Sequence, residues 1–125
     1  MLFKDYHIPM IRSGSKTVTR REWADSYAGP NVGTVVAAKT DLLKPNHECN
    51  CFIRVTGKRE EQLGEITAVS ARREGDYDGV ADFREGYEAV YGAGSWVPEK
   101  AVTVVEFEYV GASQPHADTE AGDGR

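Results

Sequence analysis

Gly14-Ser15-Lys16-Thr17-Val18-Thr19-Arg20-Arg21 packs a flexible turn, an amine, two threonine hydroxyls and two guanidinium groups into eight consecutive residues. Its β-branched run predicts a short strand over residues 16–21. The glycine lets backbone approach a ligand closely, Lys and Arg suit phosphate or carbonyl oxygens, and Thr can donate, accept or attack. An exposed strand with solvated charges is the plainer reading of the same residues. Alternation adds a geometric condition. On an ideal strand Lys16 and Thr19 face opposite sides, so they converge only if the chain bends near Lys16.

Upstream, residues 5–13 read as a short helix, with Asp5 placed to cap it and Pro9 in its first turn. Ile8 and Ile11 share a face, and Gly14 stands where a left-handed terminator belongs. Downstream, Gly29-Pro30-Asn31 marks a turn, residues 33–39 a strand, and Pro45-Asn46 a break in the following loop. Residues 51–58 alternate, with Cys51, Ile53 and Val55 on one face and Phe52, Arg54 and Thr56 on the other. Thr67 can cap a helix running to Glu74, with Ile66 and Ala71 as a hydrophobic staple and Gly75 as its end. A further helix follows Asp78 and carries Val80, Phe83, Tyr87, Val90 and Tyr91 on one stripe. Residues 101–110 are the clearest strand, with bulk from Val102, Val104, Phe107 and Tyr109.

Strands interleaved with short helices, without regular βα alternation or internal repeats, predict an α+β barrel rather than a doubly wound sheet. The 125 residues suit one domain, expected over 1–110. Residues 111–125, with Asp118, Glu120 and Asp123, are too poor in apolar groups to order themselves, so a disordered acidic tail is expected there.

No apolar run approaches the roughly 18 residues of a membrane span, and residues 1–6 lack the layout of a secretory signal. A soluble, cytoplasmic protein is the expectation. The net charge of −5 argues against gripping extended duplex DNA, which takes many cation–phosphate contacts, but leaves room for a small site with a few local cations. Cys49 and Cys51 are too close in sequence for an unstrained disulfide and read as free thiols. His47-Glu48-Cys49-Asn50-Cys51 invites a zinc reading, but no second Cys/His cluster completes a ligand set, and Cys51 shares a face with Ile53 and Val55. Neither a metal nor a cofactor is expected.

The spacing Gly-x-Lys-x-x-Thr-x-Arg, filled by Gly14, Lys16, Thr19 and Arg21 after a short amphipathic helix, resembles the signature of the ASCH family, a branch of the PUA-like superfamily. Other parts follow in the family's order. There is an Ile-Arg-Val strand with Gly57 after it, then a helix ending Ala71-Arg72-Arg73-Glu74-Gly75. An aromatic-bearing helix and a terminal Val-Val-Glu-Phe strand (residues 104–107) close the set. The resemblance covers residues 1 to about 110. It implies a PUA-like mixed β-barrel with short flanking helices and a cleft between them.

Family members are commonly regarded as RNA-binding, and some small bacterial ones are amidohydrolases that deacetylate N4-acetylcytidine. Carried over position by position, their catalytic groups become Lys16, Thr19 and Glu74. Gly14, Thr17, Arg20, Arg21 and Trp23 are then the ligand-binding candidates. Arg20 stands where an apolar residue is usual in those enzymes. In the implied chemistry a desolvated Lys16 takes the Thr19 proton, the Thr oxygen attacks the amide carbonyl, and Glu74 passes a proton to the leaving amine. A solvated surface charge is the plainer reading of Glu74. Trp23, Tyr27 and Trp96 could each stack on a base, Trp23 being nearest the motif. Three functions therefore compete: binding of RNA or a pyrimidine nucleoside, hydrolysis of an acylated nucleoside, and a non-catalytic protein-interaction domain.

Overall fold

The computed structural model describes residues 1–23, 29–41 and 51–112. Four antiparallel strands form one sheet in the order β1-β4-β3-β2. They are β1 (Val18–Arg21), β2 (Val35–Ala38), β3 (Cys51–Gln62) and β4 (Ala101–Gly111). The long strands β3 and β4 pair from Phe52↔Gly111 to Gln62↔Ala101, with register shifts at Phe52/Ile53 and Val55/Gly57. Such bulges bend a strand and increase its twist. The sheet curls into a half-barrel flanked by three short helices: α1 (Ile8–Ser13), α2 (Ala68–Gly75) and α3 (Val80–Tyr91). This is the expected α+β, PUA-like arrangement. Among the described residues no helix is long and apolar enough to cross a membrane.

The local readings hold with instructive exceptions. Cys51, Ile53 and Val55 are fully buried, with Cys51 in the core. Phe52, expected on the opposite face, is buried as well, because the bulge beside it interrupts the alternation. Thr67 caps α2 through its hydroxyl, which accepts from the Ser70 amide at 3.1 Å. The helix ends one residue later than expected, with Asp76 taking the left-handed position at φ 64°. Asp5 does not cap α1. It opens a 3-10 turn, Asp5–His7, that leads into the helix. On α3, Phe83 and Tyr87 are buried, whereas Val90 and Tyr91 at the end of the stripe stay 42% and 53% exposed.

Two apolar clusters hold the layers together. Val18, Leu63, Ile66, Ala71, Phe83, Tyr87, Val102 and Val104 lie beneath α2 and α3. Phe3, Ile8, Ile11, Ala38, Cys51, Ile53 and Phe107 lie beneath α1. The Gly14–Arg21 segment contributes Val18 to the first of these clusters. Tyr27, His47, Cys49 and the tail from residue 113 onward fall outside the described residues.

Candidate functional site

Gly14 ends α1 in the left-handed conformation at φ 89°, and the Lys16 amide then donates back to the Met10 carbonyl at 3.0 Å. The strand consequently begins at Val18, not at Lys16. Lys16 lies on this fold-back, which is the bend the alternation argument required. Lys16 and Thr19 therefore open onto the same cleft.

That cleft has a volume of about 530 Å³. Its floor is made by Lys16, Thr19, Arg20, Arg21 and Glu74. Lys16, Thr19, Arg20 and Glu74 are all buried, at 2, 5, 6 and 4% exposure. The Lys16 ammonium donates to three oxygens: the Val18 carbonyl at 2.9 Å, the Glu74 carbonyl at 2.6 Å and Glu74 Oε1 at 3.3 Å. Glu74 Oε2 accepts from Arg20 at 2.9 Å, and the other arm of that guanidinium reaches Glu61 at 2.6 Å. Burial pushes the Lys16 amine below its ordinary pKa, against the pull of the Glu74 carboxylate and with a smaller push from Arg21 and Arg20. Arg20 Nε, buried, has no hydrogen-bond partner.

Arg21 closes the floor. Its Nε donates to Thr19 Oγ1 at 3.0 Å, so the threonine oxygen accepts from a cation while its own proton stays available to a ligand. The guanidinium also donates to the Leu2 carbonyl at 2.7 Å and lies 4.8 Å over the Phe3 ring.

Aromatic groups form the walls. Tyr77, Phe83, Tyr87 and Tyr91 stand on the α2–α3 side, and Tyr6 and His7 join them from the turn before α1. The Tyr77 hydroxyl lies 3.5 Å from His7 Nε2. Burial, with Lys16 and Arg21 nearby, lowers the His7 pKa to about 4, so its imidazole is neutral at physiological pH. Burial raises Tyr77 to about 12. The Tyr87 hydroxyl is also pushed up, by burial and by its hydrogen bond to Glu22.

The structure thus brings Lys16, Thr19, Arg20, Arg21 and Glu74 together and leaves three other candidates apart. Gly14 shapes the turn but does not line the cleft. The Thr17 hydroxyl accepts from Arg73 at 2.9 Å, fastening the start of β1 to α2. Trp23 lines a second depression, reached past Arg21. Trp96 packs on Phe83 and Tyr87 within the core. Sequence reasoning missed His7, Tyr6, Tyr77 and Glu61. Glu61 was hidden because β3 runs to Gln62, four residues past its expected end, although the charged run Lys58-Arg59-Glu60-Glu61 could have suggested a continuing strand. Among the described residues no group of three His, Cys, Asp or Glu could hold a metal ion.

No protein-family model matches the sequence, and no curated protein matches it. Solved structures do. The ASCH domain from Lactobacillus crispatus superposes with a TM-score of 0.69 at 17% identity, covering 89% of this chain and 77% of that one. An Enterococcus faecalis protein described by the family model DUF984 superposes with a TM-score of 0.60 at 19% identity, covering 92% of this chain and 81% of that one. These likenesses establish an ASCH-like fold.

Proposed function

We propose that this ASCH-like domain binds a single nucleoside, or the terminal nucleotide of an RNA, in the cleft floored by Lys16, Thr19, Arg20, Arg21 and Glu74. One observation carries the reading: a buried, charge-bearing floor lies under aromatic walls within one cleft of about 530 Å³. That volume falls within the roughly 300–1,000 Å³ usual for small-molecule sites. A base needs an aromatic face and a few fixed polar groups for its edge. Tyr77, Tyr91 and Tyr6 supply faces. The Thr19 hydroxyl supplies a donor for a carbonyl or phosphate oxygen, and the Arg20 guanidinium adds positive potential from below. Lys16 contributes positive potential rather than a contact, since its three donors already have acceptors.

A second reading, hydrolysis of N4-acetylcytidine, is favoured by the desolvated Lys16 amine beside Glu74 in the cleft that Thr19 lines. In that reaction the neutral Lys16 amine removes the Thr19 proton, the threonine oxygen adds to the acetyl carbonyl, and cytidine leaves as its exocyclic nitrogen takes up that same proton, relayed from the Lys16 ammonium through the Glu74 carboxylate. Water then releases acetate from the acyl-threonine. The reading ranks second because the three acceptors around Lys16 Nζ favour the ammonium, which cannot act as a base.

Calorimetric titration with cytidine, uridine, adenosine, guanosine and N4-acetylcytidine tests both. Saturable binding of one or more nucleosides, weakened at least tenfold in Thr19→Ala, is the expected result. Absence of binding by every nucleoside at millimolar concentration overturns the proposal. Release of cytidine from N4-acetylcytidine, lost in Lys16→Ala and Thr19→Ala with unchanged circular dichroism, would move hydrolysis to first place.

A further inference from the structure

A second depression, of about 500 Å³, adjoins the cleft, and Leu2 and Arg21 line both. Among the described residues lining it, Arg21 carries the only charged side chain, and Trp23 is the only aromatic one. Leu2, Pro30 and Val36 make apolar walls. Gly29 sets the position of the indole. A Cβ there would come within 2.2 Å of the Trp23 ring, and Gly29 itself has a φ of 74°. The ring therefore lies directly against backbone, in a place only glycine allows.

We infer that this depression is a subsite for a second nucleotide, so that the ligand is a single-stranded nucleic-acid end of at least two nucleotides with Arg21 beside the linking phosphate. The inference rests on the nucleotide reading of the cleft. The chemistry recommends it in three ways. An indole offers the large face on which any base stacks. A guanidinium shared by the two cavities stands where two consecutive bases would place their phosphodiester. The depression has no acidic side chain among its described lining residues to repel that phosphate. The two cavities also differ in kind. The first has fixed donors that can read one base edge, whereas the second has a stacking face and a cation, which tolerate any base.

The test compares mononucleotides with dinucleotides, taking the base bound tightest in the titrations above; for cytosine these are cytidine 3′- and 5′-monophosphate against CpA and ApC. Using monophosphates as the baseline removes the contribution of the phosphate itself. One dinucleotide order, as the ribo or the deoxy form, is expected to bind about tenfold tighter than the matching monophosphate, the scale of one stacked base. That ratio should fall to near one in Trp23→Ala and in Gly29→Ala, which displaces the ring, and should survive in Trp23→Phe. Equal affinity for mono- and dinucleotides, with the monophosphates bound, overturns the subsite and leaves the cleft reading standing. A dinucleotide gain that persists in Trp23→Ala also overturns it. If no nucleoside or nucleotide binds at all, the cleft reading itself fails and the subsite with it.

Discussion

Two clusters of opposite charges lie on this half-barrel, built from the same residue types and joined at Glu61. In the cleft, Lys16, Arg20 and Glu74 form a network whose side chains are at most 5% exposed. On the outer surface of the sheet, Arg59 pairs with Glu106 at 2.8 Å and with Glu61 at 3.3 Å, while Arg54 pairs with Glu108 at 3.3 Å. Distances do not separate the two clusters; burial does. An outer pair exchanges water for a partner at little net gain, and salt screens what remains. An inner pair cannot recover its lost hydration if one member is removed. The chain keeps charge in the cleft at a cost to stability, and on the proposed reading that charge is what a ligand would meet there. The outer ladder lies across two paired strands, with Arg73 of α2 reaching Glu106 at 3.8 Å.

The contrast is easiest to break at its most buried anion. Glu74→Ala leaves Lys16 and Arg20 facing one another across a dry floor, and the expected destabilisation is about 3–5 kcal/mol, read by urea denaturation. A loss below about 1 kcal/mol would mean that water already reaches the floor. Glu61→Ala should cost less, roughly 1–2 kcal/mol, because Glu61 is partly solvated and Arg20 keeps its bond to Glu74. A double-mutant cycle with Glu74→Ala sharpens the comparison. The two losses should be non-additive, since both remove acceptors from one guanidinium.

These residues were unequally legible in the sequence. The Gly14–Arg21 segment announced itself, because a glycine turn followed by hydroxyls and cations is a local pattern. Ala101–Gly111 did so through its run of Val, Phe and Tyr, and Thr67 through its capping position. Arg20 was legible as a cation but not as a buried one. Its partners Glu61 and Glu74 are 41 and 54 residues away, and only sheet register and helix packing bring them near. His7 was invisible for the same reason. On its own turn it is a rim residue, and it becomes part of the cleft when Tyr77 arrives from across the chain at a separation of 70. Trp23 was rightly read as near the motif in sequence, yet it lines a different depression. Periodicity reports the faces of single elements; it does not report which faces meet.

His7 lies between the two extremes of burial. Its pKa is about 4 in the folded protein against 6.5 for an ordinary histidine, with Lys16 and Arg21 adding to burial and Tyr6 and Tyr77 packed around it. Well above pH 6.5 neither folded nor unfolded chain protonates it, so it has no effect on stability. As pH falls from 6.5 towards 4, the unfolded chain takes up the proton first and stability drops. After allowance for solvent reaching the ring, the expected loss is roughly 1 kcal/mol across that window. Melting temperatures at pH 7 and pH 5 check it: the difference should shrink in His7→Gln, and an unchanged difference would assign the acid sensitivity to other groups.

The smallest effect belongs to the outer ladder. Arg59 is nearly half exposed, and its contacts with Glu106 and Glu61 lie where water and salt compete. Arg59→Ala should cost less than about 1 kcal/mol, and 1 M sodium chloride should remove most of that difference. Nucleoside affinity should be unaltered. The experiment has diagnostic value because Glu61 touches both clusters. If Arg59→Ala weakened nucleoside binding as well as stability, Glu61 would be transmitting the state of the outer ladder to Arg20, and the two charge clusters would have to be treated as one network. If only stability moved, and only at low salt, burial alone would be what separates a site from a surface here.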